Sequence, residues 1–165
     1  LDADNIGREL IKPNTVGYEK ILANFGNQII DKYSPENAID RKLLKNIIFK
    51  DEKNRKWIQK LLHPLIKQKM ITECNKYKNN KIILLVVPLL FEAKFEDICN
   101  EIWLVKCPEK QQIQRLAKRD KINEKEASAI IKLQMKYEAK IELSDVILDN
   151  SDKTNQWINK IENLI

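Results

Sequence analysis

The feature that most constrains the fold of this chain is a run of ten apolar residues, Ile82 to Phe91, followed directly by Glu92. Its first six residues are Leu or β-branched without alternation, which is typical of a strand buried on both faces of a parallel sheet. Pro88 has no N–H to donate, so we expect the strand to end at Val87. Because ligands gather at the carboxyl ends of strands in open α/β sheets, Glu92 is expected near a binding site. The run predicts a ligand-handling α/β protein.

Further strands and helices are predicted on both sides of this run. Residues 101–107, stopped by Pro108, and residues 146–148 have the composition of strands. Strands separated by helical segments favour right-handed crossovers and a parallel sheet. The helices between Thr15 and Met70 have no strand between them, which predicts a helical subdomain. Helix starts are expected at Asn14 or Thr15, Asp40, Pro64 (interrupting an earlier helix), Asn123 (running to about Tyr137) and Ser151 or Asp152.

Composition narrows the class of protein. The 165 residues fit one domain, and their net charge of +6 suits an anionic partner such as a nucleotide, a phosphorylated metabolite or nucleic acid, although it also suits a merely soluble surface. Three cysteines without C-x-x-C spacing and a single histidine argue against a zinc site or a disulfide framework. Without a bilayer-length apolar run or a signal-peptide pattern, we expect a cytoplasmic protein that does not bind membranes.

Four groups of residues have the chemistry of a site. Asp2 and Asp4, at i and i+2 on an expected strand end, suit a metal-associated carboxylate and a general base, or form an exposed acidic pair. His63 lies just before Pro64 and is either a core or capping residue or a catalyst. Arg115 and Arg119 share one helical face and suit a phosphate clamp or a solvated surface. Glu92, in the segment Pro88–Glu92, is either placed for a ligand or simply solvated.

Taken in order, segments of the chain resemble the dephospho-coenzyme A kinase family. Each segment is weak evidence alone, but the ordered set is specific and extends over nearly the whole chain. The matching segments are Asp2-Ala3-Asp4, Arg8-Glu9-Leu10, Phe25-Gly26, Asp40-Arg41, Leu44, Phe49, Leu62-His63-Pro64, Val87-Pro88-Leu89-Leu90-Phe91-Glu92, Gln114-Arg115-Leu116, Arg119-Asp120, Gln134, Lys140 and Ser144-Asp145-Val146-Ile147-Leu148-Asp149-Asn150.

The resemblance implies the α/β fold of P-loop nucleoside and nucleotide kinases, with a three-layer parallel sheet. Residues 1–165 would form one domain, with a core of residues 1–14, 81–119 and 146–165. A helical acceptor-binding subdomain would span about residues 15–80, and a helical lid about residues 120–145. The implied reaction moves the γ-phosphoryl group of ATP, with Mg²⁺, to the ribose 3′-hydroxyl of dephospho-CoA, which is the last step of coenzyme A synthesis.

The resemblance also assigns roles to residues. Asp4 would accept the hydroxyl proton, and Asp2 would lie near the metal and the phosphates. Arg115 and Arg119 would neutralise charge on the transferring group. The acceptor site would contain Arg8, Arg41, His63, Pro88 and Glu92, while Arg115 and Asn150 would bind ATP. The implied partners are small molecules, not nucleic acid or membranes, and the implied assembly is a monomer or a weak oligomer.

One departure from the family pattern is large. The family carries a G-x-x-x-x-G-K-[ST] phosphate loop after its first strand, and its N–H groups cradle the phosphates of ATP. Here the glycines are Gly7, Gly17 and Gly26, and none precedes Lys-Ser or Lys-Thr. The loop and the first strand are therefore missing from the pattern. We expect no catalysis from the chain as it stands, and activity from a parent protein that carries the loop upstream of Leu1.

Three alternatives remain open from the sequence. Another P-loop kinase, acting on AMP, CMP or shikimate, would share the architecture but not the Leu62-His63-Pro64 or Val87–Glu92 segments. A basic nucleic-acid-binding module would explain the net charge, yet the basic residues are spread along the chain and no aromatic stacking motif is present. A scaffold that binds dephospho-CoA without turnover would bind the acceptor but not ATP.

Overall fold

A computed structural model describes residues 1–151 and 156–164, which form two compact units, Leu1–Pro88 and Leu89–Ile165. The first unit is helical and contains α1 (Ala3–Glu9), α2 (Val16–Phe25), α3 (Arg41–Lys50) and α4 (Glu52–Lys76). The second contains β1 (Trp103–Lys106), α5 (Glu109–Asp120), α6 (Glu124–Lys132), α7 (Tyr137–Glu142), β2 (Val146–Asp149) and α8 (Gln156–Glu162). The division into core, acceptor subdomain and lid stays a prediction.

Local capping chemistry sets the helix starts of the first unit. The Thr15 hydroxyl accepts the N–H of Tyr18 and begins α2, which ends at Gly26 with φ 75°. The Asp40 carboxylate accepts the N–H groups of Lys42 and Leu43 and begins α3. These predicted starts are confirmed. The helices enclose a core whose buried members are Ile21, Ile29, Ile39, Leu44 and Ile58.

Pro64 does not divide a helix, as the sequence predicted, but lies inside the continuous helix α4. A proline inside a helix removes one backbone hydrogen bond and crowds the preceding turn. Here tertiary packing outweighs that cost, because α4 carries the buried residues Ile58 and Met70 on either side of Pro64. The prediction was wrong because the packing that holds α4 together is not visible in the local sequence.

The predicted strand at Ile82–Val87 is also not formed. The segment is extended, but among the described residues its backbone hydrogen-bonds only with Leu1 and Ala3. The Leu1 amino group donates to the Leu84 carbonyl, the Val86 N–H donates to the Leu1 carbonyl, and the Ala3 N–H donates to the Val86 carbonyl. Since α1 begins at Ala3, this parallel pairing stops after one bridge. Its outward side chains are exposed, to 54% at Ile82, 69% at Leu84 and 46% at Val86, so the segment is not buried on both faces.

The second unit confirms the other two predicted strands. β1 and β2 pair in parallel, from Trp103 opposite Val146 to Lys106 opposite Asp149. The Asn123–Glu126 capping box begins α6 as predicted, but α6 ends at Lys132 rather than near Tyr137, and α7 follows after a turn. α8 begins at Gln156, and the expected cap Asp152 lies outside the described residues. Within the described residues, no helix combines the length and the apolarity that crossing a bilayer requires.

Replacement of Gly17 by alanine is expected to lower the free energy of unfolding by about 1–3 kcal/mol. A Cβ at Gly17 would collide with the backbone carbonyl oxygen of Leu10, which cannot move aside as a side chain can. Gly7→Ala is the matched control, because its Cβ would lie 3.4 Å from Ile66 Cδ1, the end of a flexible side chain. Urea denaturation of both variants measures the difference, and equal midpoints would contradict the expected clash.

Candidate active site

The two N-terminal aspartates lie at a helix start rather than at a strand end. Asp2 is the N-cap of α1 and its Oδ1 accepts the N–H of Asn5 at 3.0 Å. Asp4 lies in the first turn of α1 and is exposed. Among the described residues, no hydrogen bond or ion pair engages the Asp4 carboxylate. The two acids therefore differ: Asp2 holds the helix with one oxygen, whereas Asp4 is available to a ligand.

Arg8 and Arg41 line the same cleft, although they are 33 positions apart in sequence. The cleft has a volume of about 230 Å³, with Glu9 and Lys12 as its other charged residues and Ile11, Ala38 and Ile39 as its apolar wall. Arg8 donates to Asn5 Oδ1 at 2.8 Å, and Lys12 pairs with Glu9 at 2.7 Å. Arg41 has no polar partner among the described residues. The cleft therefore combines a positive charge excess with an apolar surface.

Asp4 and Arg8 are one helical turn apart on α1, so their side chains lie on the same face of the helix. This face carries an unengaged carboxylate next to the cationic cleft. The structure thus brings three residues of the expected site, Asp4, Arg8 and Arg41, to one region of the first unit.

His63 lies in α4 one turn before Ile66, and Ile66 faces Gly7 of α1. It therefore belongs to the stretch of α4 that packs toward α1. Burial lowers the pKa of His63, which makes the neutral imidazole the dominant form at pH 7. A neutral imidazole can exchange hydrogen bonds with a ligand but does not add a positive charge to the region.

Arg115 and Asn150 meet at the carboxyl end of β2. Arg115 Nη2 donates to the backbone carbonyl of Asn150 at 3.1 Å and to Gln111 Oε1 at 3.2 Å. Gln111 Nε2 in turn donates to the Ser151 carbonyl at 2.9 Å. These bonds tether one nitrogen of an otherwise exposed guanidinium, which leaves its remaining N–H groups for an anion.

The sequence prediction missed an ion pair at the same strand ends. Lys106 Nζ lies 3.0 Å from Asp149 Oδ2, at the last paired position of β1 and β2. Hydrogen bonding to Ser151 and the ammonium of Lys106 lower the pKa of Asp149, and Asp149 raises the pKa of Lys106. Both residues end the observed strands and lie within one residue of the predicted strand ends, Cys107 and Leu148, so the rule that sites lie at strand ends was the available signal.

Three expected residues remain. Arg119 and Glu92 belong to the second unit, and Pro88 is the last residue of the first. Arg119 Nε pairs with Asp120 at 2.7 Å and its side chain is 74% exposed, so it is tethered at a different place from Arg115. Glu92 is not solvated but accepts hydrogen bonds from Met135 N–H and from Lys140. Pro88 is exposed in the turn before Glu92.

The residues fit a magnesium ion that arrives with a nucleotide. Such an ion is usually held by substrate phosphates and one or two carboxylates, because Mg²⁺ keeps several waters. Only one oxygen of Asp2 is used in capping α1, so its Oδ2 remains as a candidate ligand. Among the described residues, no group of three or more His, Cys, Asp or Glu side chains forms a separate metal cage.

Comparison with known proteins shows the family of the chain. The family model for dephospho-CoA kinases matches residues 1–156. A dephospho-CoA kinase of Prochlorococcus marinus strain MIT 9312 is 64% identical over 166 residues, which cover 100% of this chain and 81% of the relative. A dephospho-CoA kinase of Oceanobacillus iheyensis is 35% identical over 167 residues, with 100% and 82% covered.

Solved structures agree with this assignment. The dephospho-CoA kinase from Campylobacter jejuni is 25% identical with a TM-score of 0.68, and the match covers 99% of this chain and 83% of that one. TT1252 from Thermus thermophilus, at 20% identity and a TM-score of 0.75 over 99% and 81% of the two chains, supports the α/β fold. The chain belongs to the dephospho-CoA kinase family of P-loop kinases, whose substrates are ATP and dephospho-CoA.

Proposed function

We propose that the cleft of the Leu1–Pro88 unit binds dephospho-CoA and that Asp4 accepts the proton of its ribose 3′-hydroxyl. The observation that carries the proposal is the unengaged Asp4 carboxylate on the helix face that also presents Arg8 to a cationic cleft. A diphosphate and a hydroxyl are the two groups of dephospho-CoA that this combination suits. His63 and Pro88 belong to the same proposal as further acceptor contacts.

The cleft suits the acceptor by charge and by shape. Arg8 and Arg41 offer planar guanidinium groups that bind phosphate oxygens in pairs, which a lysine cannot do. Arg41 has no competing protein partner among the described residues, so binding a phosphate breaks no existing ion pair there. The wall of Ile11, Ala38 and Ile39 offers apolar contact to the uncharged parts of the ligand.

The chemical step is an in-line phosphoryl transfer. The 3′-oxygen forms a bond to the γ-phosphorus of ATP, the bond from that phosphorus to the ADP oxygen breaks, and the hydroxyl proton passes to Asp4. Because the transition state is loose, positioning and charge neutralisation contribute more than proton removal does. Asp4 therefore acts both by orienting the hydroxyl and by taking its proton.

The nucleotide half of the proposal rests on the strand ends of the second unit. Arg115 neutralises charge on the transferring group, with its guanidinium oriented by the Asn150 carbonyl, and Arg119 adds a second cation. Asn150 lies by the adenine. Mg²⁺ supplies charge neutralisation on the β- and γ-phosphates when it is bound, and Asp2 is the residue that would hold it.

Arg41→Met is expected to raise KM for dephospho-CoA about tenfold and to leave kcat nearly unchanged, because it removes a binding contact that is equal in ground and transition states. Lys42→Met is the matched control, since it removes one positive charge from the next, exposed position of α3. Steady-state kinetics with varied dephospho-CoA measure the effect. An equal rise in KM for both variants would show that Arg41 acts only through its positive charge and not through a specific contact with dephospho-CoA.

The reaction is tested by ADP release from the complete protein with ATP, Mg²⁺ and one of three acceptors: dephospho-CoA, AMP or CMP. Turnover with dephospho-CoA alone is the expected result, and turnover with AMP or CMP instead would overturn the proposal. Calorimetric titration of the present chain with dephospho-CoA tests the acceptor cleft without requiring turnover. We also propose that the protein is cytoplasmic, is a monomer or a weak oligomer, and does not bind nucleic acid. Sedimentation with and without an oligonucleotide tests the assembly state and the binding of nucleic acid.

A further inference from the structure

The Glu92 carboxylate forms a shielded junction in the second unit. Its Oε1 accepts the backbone N–H of Met135 at 2.8 Å and lies 2.9 Å from Lys140 Nζ. The two ion-pair side chains are only 16% and 12% exposed. Glu92 Oε2 is buried and has no hydrogen-bond partner among the described residues. Because an isolated buried charge is costly, a carboxylate this enclosed requires its partners to stay in place.

The junction links the turn that carries Glu92 to the helical segment that follows α5. Met135 lies between the end of α6 at Lys132 and the start of α7 at Tyr137, and Lys140 lies within α7. On the other side, Phe91 and Phe95 are buried on either side of Glu92 and hold its turn in the core of the unit. Glu92 Oε1 therefore holds both the α6–α7 turn and helix α7 against the turn that Phe91 and Phe95 anchor in the core.

The same geometry leaves no room for Glu92 to contact an acceptor. Oε1 is already engaged by two donors, and Oε2 has no accessible surface. A substrate would have to break the ion pair before reaching either oxygen. The placement of Glu92 in the acceptor site, which the family resemblance implied, stays a prediction that this arrangement opposes.

We infer that Glu92 and Lys140 are positioning residues, whose ion pair holds the α6–α7 segment in place and so keeps the arginines of α5 oriented for phosphoryl transfer. The link to the arginines is direct packing, because α6 contacts α5, and α5 carries Arg115 and Arg119. This inference deepens the proposed function and rests on it for its kinetic consequence. The junction itself rests on the structure alone.

The charge state of the pair agrees with this role. Burial on its own raises the pKa of Glu92. The hydrogen bonds from Met135, Lys140 and the Glu92 backbone, together with the charge of Lys140, nevertheless hold that pKa below its ordinary value. A carboxyl with a lowered pKa contributes stability above its unfolded-state pKa and loses it as the pH falls through its folded-state pKa. Glu92 is therefore ionised at neutral pH, where it needs its cation.

Kinetic variants separate positioning from substrate contact. In the complete protein, we expect Lys140→Met and Glu92→Gln each to lower kcat/KM for ATP about tenfold, with KM for dephospho-CoA changed less than about twofold. The double variant should lose less than the product of the two single losses, because neither charge is then left alone. Lys140→Arg should retain most of the activity. Lys136→Met is the control, since it removes an exposed lysine from the same turn.

Two outcomes would overturn the inference. A raised KM for dephospho-CoA in Glu92→Gln, without the same change in Lys140→Met, would return Glu92 to the acceptor site. Loss of thermal stability with wild-type kinetics below the melting temperature would reduce the pair to a structural role.

Amide hydrogen exchange tests the junction independently of turnover. In Glu92→Ala the Met135 amide loses its acceptor, so we expect exchange of the peptide that contains residues 133–137 to become about tenfold faster or more, while Lys136→Met leaves it unchanged. Unchanged exchange in Glu92→Ala would refute the junction. If the wild-type protein does not phosphorylate dephospho-CoA but the exchange result holds, the proposed function fails while the junction stands, and only its kinetic consequence falls.

Discussion

Asp4→Asn in the complete protein, which carries the phosphate loop, is expected to lower kcat at least about 100-fold while KM for dephospho-CoA changes less than about twofold. This is the pattern of a lost general base rather than of a lost binding contact. Asparagine keeps the size and a hydrogen-bond acceptor but cannot take a proton. The Asp4 carboxylate is exposed and engaged by no described residue, so the substitution breaks no bond of the fold. Initial rates of ADP formation with both substrates varied give the two constants.

Glu19→Gln is a matched control for this effect. Glu19 is an exposed acid in the first turn of α2, as Asp4 is in the first turn of α1. Both substitutions remove a charge that helix starts favour, so any general loss of helix stability should be common to the two variants. Near-normal turnover of Asp4→Asn would remove Asp4 from the mechanism. Equal losses in both variants would attribute the effect to folding.

Arg115→Met in the complete protein is expected to lower kcat about 100- to 1000-fold, because a preorganised donor to the charge that develops in the transition state is removed. Arg115→Lys should recover only part of the loss, because the lysine ammonium cannot both donate to the Asn150 carbonyl and present a planar pair of N–H groups to a phosphate. Single-turnover measurements with ATP and dephospho-CoA isolate the chemical step from product release.

Lys118→Met provides the comparison for Arg115. It removes one exposed positive charge from the same helix, without the bonds that tether Arg115 to Gln111 and Asn150. A small effect at Lys118 with a large one at Arg115 is the expected contrast. If both variants lose activity equally, the basic surface of α5 acts only as a diffuse field and Arg115 has no specific role.

The parts of the fold that sequence alone predicted are those set by neighbouring residues. Thr15 and Asp40 begin helices because their side chains satisfy N–H groups two or three positions further along. β1 and β2 were found from short apolar segments and pair in parallel as expected. The failures at Pro64 and at residues 82–87 have the opposite cause, since packing along α4 and pairing with Leu1 come from residues distant in sequence.

In the candidate site, too, the sequence predicted what depends on single residues but not what depends on residues distant in sequence. The resemblance named Arg8 and Arg41 individually, but no local pattern places residues 33 positions apart in one cleft. The Glu92–Met135 bond spans 43 positions and uses a backbone N–H, which any residue type would supply. The Lys106–Asp149 pair depends on the register of two strands. Residue types are visible in the sequence, whereas their meeting depends on the tertiary fold.

The extended segment of residues 82–86 has a consequence for how this polypeptide behaves in concentrated solution. On the side away from Leu1, its backbone groups form no ladder with any part of the chain that the structure describes, and Ile82, Leu84 and Val86 are exposed. Such an apolar edge favours intermolecular strand pairing and aggregation. Lys81 directly precedes the segment and Lys78 lies three residues earlier. The repulsion between these lysines on neighbouring molecules opposes strand pairing. Aggregation of this chain should therefore increase as salt screens those lysines.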